Sequence, residues 1–243
     1  TTHMTHRLTG FYRFARGVFR SFMVPWMKID VQGLENLPKD RGYLLVCNHL
    51  SNIDAVCLLW VMMKADVPVR IMAKSELFKV PLLGGAMRRM QLLPVDRKSK
   101  EAGAILASAA KALRDGECVA IYPEGTLTTD PDEWPMRIKT GAARLALDTG
   151  VDVIPFIHWG EQKIMRSGSA LIDFRPQRKV SVRIGQPIDL DDLRHDTGSA
   201  DHHAVDEATA RIQRTMIDQL AALRGEDAPQ GVWDRKLKKR VEI

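Results

Sequence analysis

Asn48, His49 and Asp54 are the residues of this 243-residue chain whose types and spacing first suggest chemistry. They end the stretch Tyr43-Leu44-Leu45-Val46-Cys47-Asn48-His49-Leu50-Ser51-Asn52-Ile53-Asp54. An apolar run from Tyr43 to Cys47 stops at Asn48-His49, and a second apolar segment with helical spacing begins at Ile53. Five apolar residues bounded by polar ones read as a buried strand, and the spacing that follows predicts a helix over 53–64, with Ser51 or Asn52 as its N-cap. On one continuous helix, residues five apart point in different directions, because neighbours on a face are three or four apart. A strand end followed by a helix start can instead fold the two side chains together. The Asp54 carboxylate would then hold one ring nitrogen of His49 and leave the other free to act as a base. A second reading is open at this point: Ser51-Asn52-Ile53-Asp54 also matches a capping box, in which Asp54 only serves backbone N–H groups.

Three further places carry candidate site residues. Glu124-Gly125-Thr126 follows an apolar run at 118–122. Glycine allows a tight turn and close approach of a ligand, N–H groups exposed there suit a phosphate, Thr126 adds a hydroxyl, and Glu124 could fix a substrate hydroxyl or a nearby arginine. Arg97 follows a short strand at 92–95, and its guanidinium fork matches phosphate. Lys139 opens a helix expected over 137–149, where it could meet substrate charge. Each has a plainer reading: a strand-to-loop turn, a salt bridge from Arg97 to Glu124, a solvated lysine.

The elements that must position these groups alternate. Strands are expected at 27–31, 43–47, 69–73, 92–95, 118–122 and 153–158, and helices at 53–64, 99–114, 137–149 and 204–224. Stretches 171–174 and 180–184 read as later strands, possibly a hairpin. The pattern predicts a single α/β domain over 27–224, with a mostly parallel central sheet flanked by helices. Ligands of such sheets lie beyond the carboxyl ends of the strands. His49, Arg97, Glu124 and Thr126 all follow predicted strand ends. Pro155 should mark an edge or a bulge.

Before the domain, residues 7–26 form an N-terminal amphipathic helical segment. Phe11, Phe14, Ala15, Val18, Phe19, Phe22, Met23 and Trp26 recur at helical spacing among Arg7, Arg13, Arg16 and Arg20, with no acid before Asp30. A basic aromatic stripe suits an interfacial membrane helix, and packing on the domain is the other fate such a stripe can have. After the domain, residues 225–243 form a basic C-terminal tail, read by preference as a solvated charge run. Thr1-Thr2-His3 before Met4 reads as an expression remnant. The net charge of +6 favours anionic partners, and 45% apolar content is that of a globular protein. The three cysteines form no CxxC pair, and Cys47 and Cys57 read as core residues. No stretch approaches the ~20 apolar residues of a spanning helix. His158 reads as core or pocket-lining, and His202-His203 as solvated helix-start residues. There is no G-x-S-x-G elbow, which argues against a serine acyl-enzyme.

Taken in order, Asn48-His49-x4-Asp54, Val95-Asp96-Arg97, Tyr122-Pro123-Glu124-Gly125-Thr126 and Val153-Ile154-Pro155 resemble the four motifs of the glycerolipid acyltransferases, nearest to the 1-acylglycerol-3-phosphate (lysophosphatidic acid) type, over about residues 28–190. The resemblance implies acyl transfer from a thioester donor, acyl-CoA or acyl carrier protein, to a lysophospholipid hydroxyl, with 1-acyl-glycerol-3-phosphate giving phosphatidic acid. It implies His49 as general base, Asp54 as its orienting partner, and Asn48, Arg97, Glu124, Gly125, Thr126 and Lys139 on the substrate side. It also implies an enzyme without metal or cofactor, peripheral on the cytoplasmic face of the membrane. Leu127 stands where the family usually carries an arginine; Arg137 or Lys139 could substitute, or the acceptor could carry another headgroup. A thioester or lipid hydrolase and a non-catalytic lipid-binding module are the rival classes. Nucleic acid is not an expected partner, since the arginines are not interleaved with aromatics on a stacking platform.

Overall fold

A computed structural model describes residues 10–95, 102–167, 169 and 171–242. In chain order its regular elements are α1 (Gly10–Trp26), β1 (Met27–Gln32), β2 (Tyr43–Cys47), α2 (Asp54–Lys64), β3 (Val69–Lys74), α3 (Leu83–Arg89), β4 (Leu93–Val95), α4 (Ala102–Arg114), β5 (Cys118–Ile121), α5 (Gly141–Thr149), β6 (Asp152–Trp159), β7 (Arg178–Ile184), α6 (His202–Arg224), β8 (Val232–Asp234) and β9 (Lys239–Val241).

Seven strands form one sheet in the order β1-β7-β6-β2-β5-β3-β4. β6, β2, β5, β3 and β4 run parallel to one another. β7 is antiparallel to β6, and β1 is parallel to β7. The sheet is therefore mostly parallel, as its alternating elements require, with its one reversal between β6 and β7. All five residues of β2 are buried, because both faces of the strand are covered. Leu44 and Val46 face a core layer shared with α4, α5 and α6. Tyr43, Leu45 and Cys47 face a second layer shared with α1 and α2. This two-residue alternation between faces is the strand's own period. Cys47, Cys57 and Cys118 are buried free thiols.

Several expected elements differ from what the structure shows. Pro155 lies in an interior strand and not at an edge: it pairs with Val46 of β2. It is tolerated because the ladder between β6 and β7 starts only at Phe156, and its carbonyl accepts from the Gly185 N–H. Residues 171–174 form no strand and no hairpin. The Asp173 N–H instead donates to Ile164, and the Asp173 carbonyl accepts from the Trp26 indole. The helix expected from residue 137 starts at Gly141. Residues 136–139 are held extended by N–H bonds from Arg137 to Trp233, from Ile138 to the Gln213 side chain and from Lys139 to Pro123. The partner in this is the C-terminal segment. Instead of a solvated tail, β8 and β9 form a hairpin docked on residues 129–137. The Trp233 indole donates to Thr129, and Arg240 pairs with Asp130 and Asp132. The hairpin's turn, residues 235–238, stays exposed.

The N-terminal helix divides its apolar residues. Tyr12, Met23 and Trp26 are buried against the domain, whereas Phe14, Val18 and Phe22 are exposed. Packing on the domain thus accounts for the inner stripe, and the outer stripe is left exposed.

Candidate active site

The carboxyl ends of β2, β5 and β6 meet at one place. His49 leaves β2 and Asp54 opens α2. The His49 Nδ1 lies 3.0 Å from Asp54 Oδ2. An ionised carboxylate is an acceptor only, so Nδ1 carries the proton and Nε2 is left as a lone-pair base. Asp54 is wholly buried, while His49 keeps 17% of its side chain open.

Both readings of Asp54 hold together. Its Oδ2 also accepts from the backbone N–H groups of Leu50 at 2.6 Å and Ser51 at 2.9 Å. Neither Ser51 nor Asn52 caps the helix; Ile53 occupies that position with no side-chain bond. The carboxylate therefore fixes the turn that carries His49 as well as the ring itself. Ser51 points elsewhere and donates to the Met165 carbonyl.

Tyr122, at the end of β5, covers the His49 ring, with centroids 4.3 Å apart and planes at 30°. Burial pushes the Tyr122 phenol well above its usual range, so it is a neutral wall of the site.

Glu124 is not free for a substrate. Its Oε1 accepts from the His49 N–H at 3.0 Å and its Oε2 from the Met136 N–H at 2.9 Å. It is a buried bracket between the β2 turn and the loop that the C-terminal hairpin holds. Burial raises its pKa to about 8, against the lowering effect of those two N–H bonds. The Thr128 N–H completes the bracket by donating to the His49 carbonyl. Asn48 is likewise spent on structure. Its amide donates to the His158 carbonyl at 2.9 Å and accepts from the His158 N–H at 3.0 Å, joining β2 to β6.

Gly125 has φ +74, and a Cβ built there would lie 2.8 Å from Lys139 Nζ. The missing side chain is what lets the exposed Lys139 lie over the turn, beside the half-buried Thr126. Arg137 is directed to Asp234 of the hairpin, at 3.7 Å. Of the two cations able to replace an arginine at Leu127, Lys139 is the one at the turn. Arg97 lies outside the described residues. Beside Leu50, a cavity of about 480 Å³ is lined by Thr128, Asp130, Glu133, Lys163 and Arg166 among others.

His158, which reads from the sequence as core or pocket-lining, and Glu161, which the sequence does not single out, stand behind the pair. His158 and Glu161 are both fully buried, with Nδ1 and Oε1 3.2 Å apart. Asp54, His158 and Glu161 are the one set of three metal-type side chains that converges among the described residues. It already sets a ring nitrogen of His158 against the Glu161 carboxylate. The sequence signal was present as His-x-x-Glu after an apolar strand, which is too common to single out.

The family described as Acyltransferase matches residues 28–159. A chloroplastic 1-acyl-sn-glycerol-3-phosphate acyltransferase of Brassica napus is 32% identical over 209 residues, 85% of this chain; the chain spans only 56% of that relative's length. A 1-acyl-sn-glycerol-3-phosphate acyltransferase of Bacillus subtilis is 27% identical over 212 residues, covering 86% of this chain and 100% of the relative. The crystal structure of the 1-acyl-sn-glycerophosphate acyltransferase PlsC from Thermotoga maritima superposes with a TM-score of 0.62, at 24% identity, over 91% of this chain and 81% of that one. The fold is therefore that of PlsC.

Proposed function

The chain belongs to the acyltransferase family, and from that premise we propose that it moves a fatty acyl group from a thioester donor, acyl-CoA or acyl carrier protein, to the free hydroxyl of a lysophospholipid. The relatives' names make 1-acyl-glycerol-3-phosphate the first acceptor to test and phosphatidic acid the product. The observation that carries the reading is the contact between His49 Nδ1 and a wholly buried Asp54, an acceptor for Nδ1–H that leaves Nε2 to take a proton.

The steps balance without a redox partner. The acceptor oxygen attacks the thioester carbonyl as His49 Nε2 takes the hydroxyl proton, a role that supplies ~10²–10⁴-fold in rate. Asp54 keeps the ring in the tautomer that accepts and stabilises the imidazolium formed. The C–S bond then breaks, the ester forms, and the imidazolium returns its proton to the leaving thiolate. Lys139, held over Gly125, and the Thr126 hydroxyl face the acceptor's phosphate, a group that the Arg97 guanidinium fork matches in kind. Glu124 and Asn48 act through the backbone they hold.

The enzyme works as a peripheral protein on the cytoplasmic face of the membrane. Phe14, Val18 and Phe22 of α1 lie exposed with Phe174, whose ring sits 5.3 Å from Trp26 and 6.5 Å from Phe22. Arg13 and Arg20 are exposed on the same helix. Rings at the acyl boundary and arginines at anionic headgroups are what such a helix needs. No helix among the described residues is long and apolar enough to cross a membrane.

The test is acyl-CoA turnover with and without 1-acyl-glycerol-3-phosphate, products read by mass spectrometry, for the wild type and His49→Ala. Phosphatidic acid should appear only with the acceptor, and His49→Ala should lower its formation by ~10²–10⁴-fold while thermal melting stays unchanged. Release of thiol and free fatty acid alone would make the protein a hydrolase. A folded His49→Ala protein with near-normal turnover would remove the base.

A further inference from the structure

The second His–carboxylate pair is the largest set of buried charges that the proposed reaction leaves unused. His158 lies near the end of β6, and Glu161 follows in a single turn of 3-10 helix, Glu161–Lys163. Gly160 makes the reversal at φ +126, and a Cβ there would stand 2.5 Å from the Lys179 carbonyl oxygen. The turn sets Glu161 against the His158 ring, and neither side chain reaches water. Ligating atoms of Asp54, His158 and Glu161 all lie within 4.8 Å of one another. The backbone of His158 is pinned from both sides by Asn48, the residue next to His49. The ring is thus built into the same corner that presents the base.

The hydrogen-bond inventory of Asp54 shows what the corner lacks. Its Oδ2 takes three donors, whereas Oδ1 is buried without one. Two carboxylates this close in a low-dielectric interior cannot both stay ionised without a compensating charge. With His158 neutral the three groups would sum to −2; with it charged they sum to −1.

We propose that His158 is a positioning residue for the transfer reaction: a buried cation, fixed between Glu161 and Asp54, that keeps Asp54 a carboxylate able to hold the His49 ring. The inference rests on the reading of His49 as the base. The charged groups acting on His158 are Glu161 in its own turn, Asp54 on α2 and Glu124 beyond β5; Cys47 at the end of β2, Cys57 on α2 and Tyr122 act in turn on Asp54 or Glu161. Burial pushes both thiols and the phenol up, so they stay neutral. Burial alone would lower the pKa of His158, but Glu161 and then Asp54 outweigh it and carry it up to about 9.

The test separates charge from packing. His158→Gln keeps a ring-sized polar side chain but no charge; kcat should fall by ~10–100-fold with KM little changed, as when one partner of a buried charge cluster is removed. Its pH–rate acid limb should move to higher pH, because the uncompensated carboxylates take up a proton that must leave before Asp54 can hold His49. The double variant His158→Gln/Glu161→Gln restores the net charge of −1 and should recover most of the lost kcat. A purely structural role for the pair predicts the reverse, since the double variant disturbs more packing. Independently, ¹⁵N-histidine spectra of the full chain should show one imidazolium at pH 7 that is absent from the variants. A double variant no faster than His158→Gln, or a neutral His158 ring at pH 7, overturns the proposal. If His158→Gln does not fold, the ring's charge and the turnover of the double variant decide it. Near-normal turnover of His49→Ala would refute the base assignment yet leave the charge of His158 measurable, so the two failures are distinguishable.

Discussion

The turn after β2 and the helix α1 both carry the residues that drew attention in the sequence, and they are held in opposite ways. Around His49 every support is a short polar bond from a buried partner: Asp54 to the ring and to two N–H groups, Glu124 to the His49 N–H, Asn48 to β6. On α1 the inner stripe is docked by Tyr12, Met23 and Trp26, and the outer stripe of Phe14, Val18 and Phe22 stays exposed, with Phe22 alone in ring contact with Trp26 and Phe174. The first region is over-determined, as a site that must aim a ring nitrogen has to be. The second leaves apolar surface free, which is the surface the proposed membrane contact would cover. Removing one bond from the first should therefore damage catalysis or stability, whereas changing the outer face of the second should spare both and alter only where the protein resides.

The largest effect is expected from Asp54→Asn. The amide presents a donor where the carboxylate accepted from three, so the His49 ring loses its tautomeric preference and kcat falls by ~10²–10⁴-fold. The backbone N–H groups of Leu50 and Ser51 also lose that acceptor, at about 1–3 kcal/mol of stability each. Steady-state kinetics and chemical denaturation report the two parts. Full activity in this variant would mean that the turn aims the ring unaided.

Glu124→Ala comes next. Two N–H groups, of His49 and Met136, lose their acceptor, which should cost about 2–4 kcal/mol in denaturant titration. A loss under 1 kcal/mol would show the bracket to be redundant. The same carboxyl gives a sign for pH. Its folded pKa, about 8, lies above the ordinary 4.5, and that of His158, about 9, above 6.5. For groups raised in this way, the favourable contribution is full below the unfolded value and is lost as pH rises through the folded one. Melting temperature should therefore decline between about pH 5 and pH 9, and Glu124→Gln should flatten the decline. A melting temperature that rises over that range would contradict both assignments.

The smallest effect on the folded protein is expected from Phe14→Ser/Val18→Ser. Stability should change by no more than about 0.5 kcal/mol, as for exposed positions in general. Flotation with vesicles containing anionic lipid should drop sharply. Unchanged flotation would place the membrane contact elsewhere and erase the contrast between the two regions.

What could be read from the chain before its structure follows the range of the contacts. The strands, the helix after His49 and the dyad itself are local, and period and spacing reveal them. The bonds that Asn48 and Glu124 make are not legible in the chain, because their partners lie 110 and 75 residues away, in β6 and the β2 turn. The same holds for the C-terminal hairpin, whose strands of three residues are too short to show alternation and whose Arg240 meets Asp130 across 110 residues. Exposed-looking charge in a sequence says nothing of a distant carboxylate waiting for it. His158 and Glu161 were within reach, three apart, but only the sheet order that puts β6 beside β2 brings them to Asp54.

The cross-links that aim His49 have a kinetic corollary. Its aspartate is five residues away, yet the ring's scaffold closes only when β5 and β6 have both zipped onto β2. Contacts of such long sequence separation form late, because loop-closure entropy must be overcome before they contribute. Regain of turnover in a refolding experiment should therefore trail the recovery of helical circular dichroism, making enzymatic competence the last clock on the folding path.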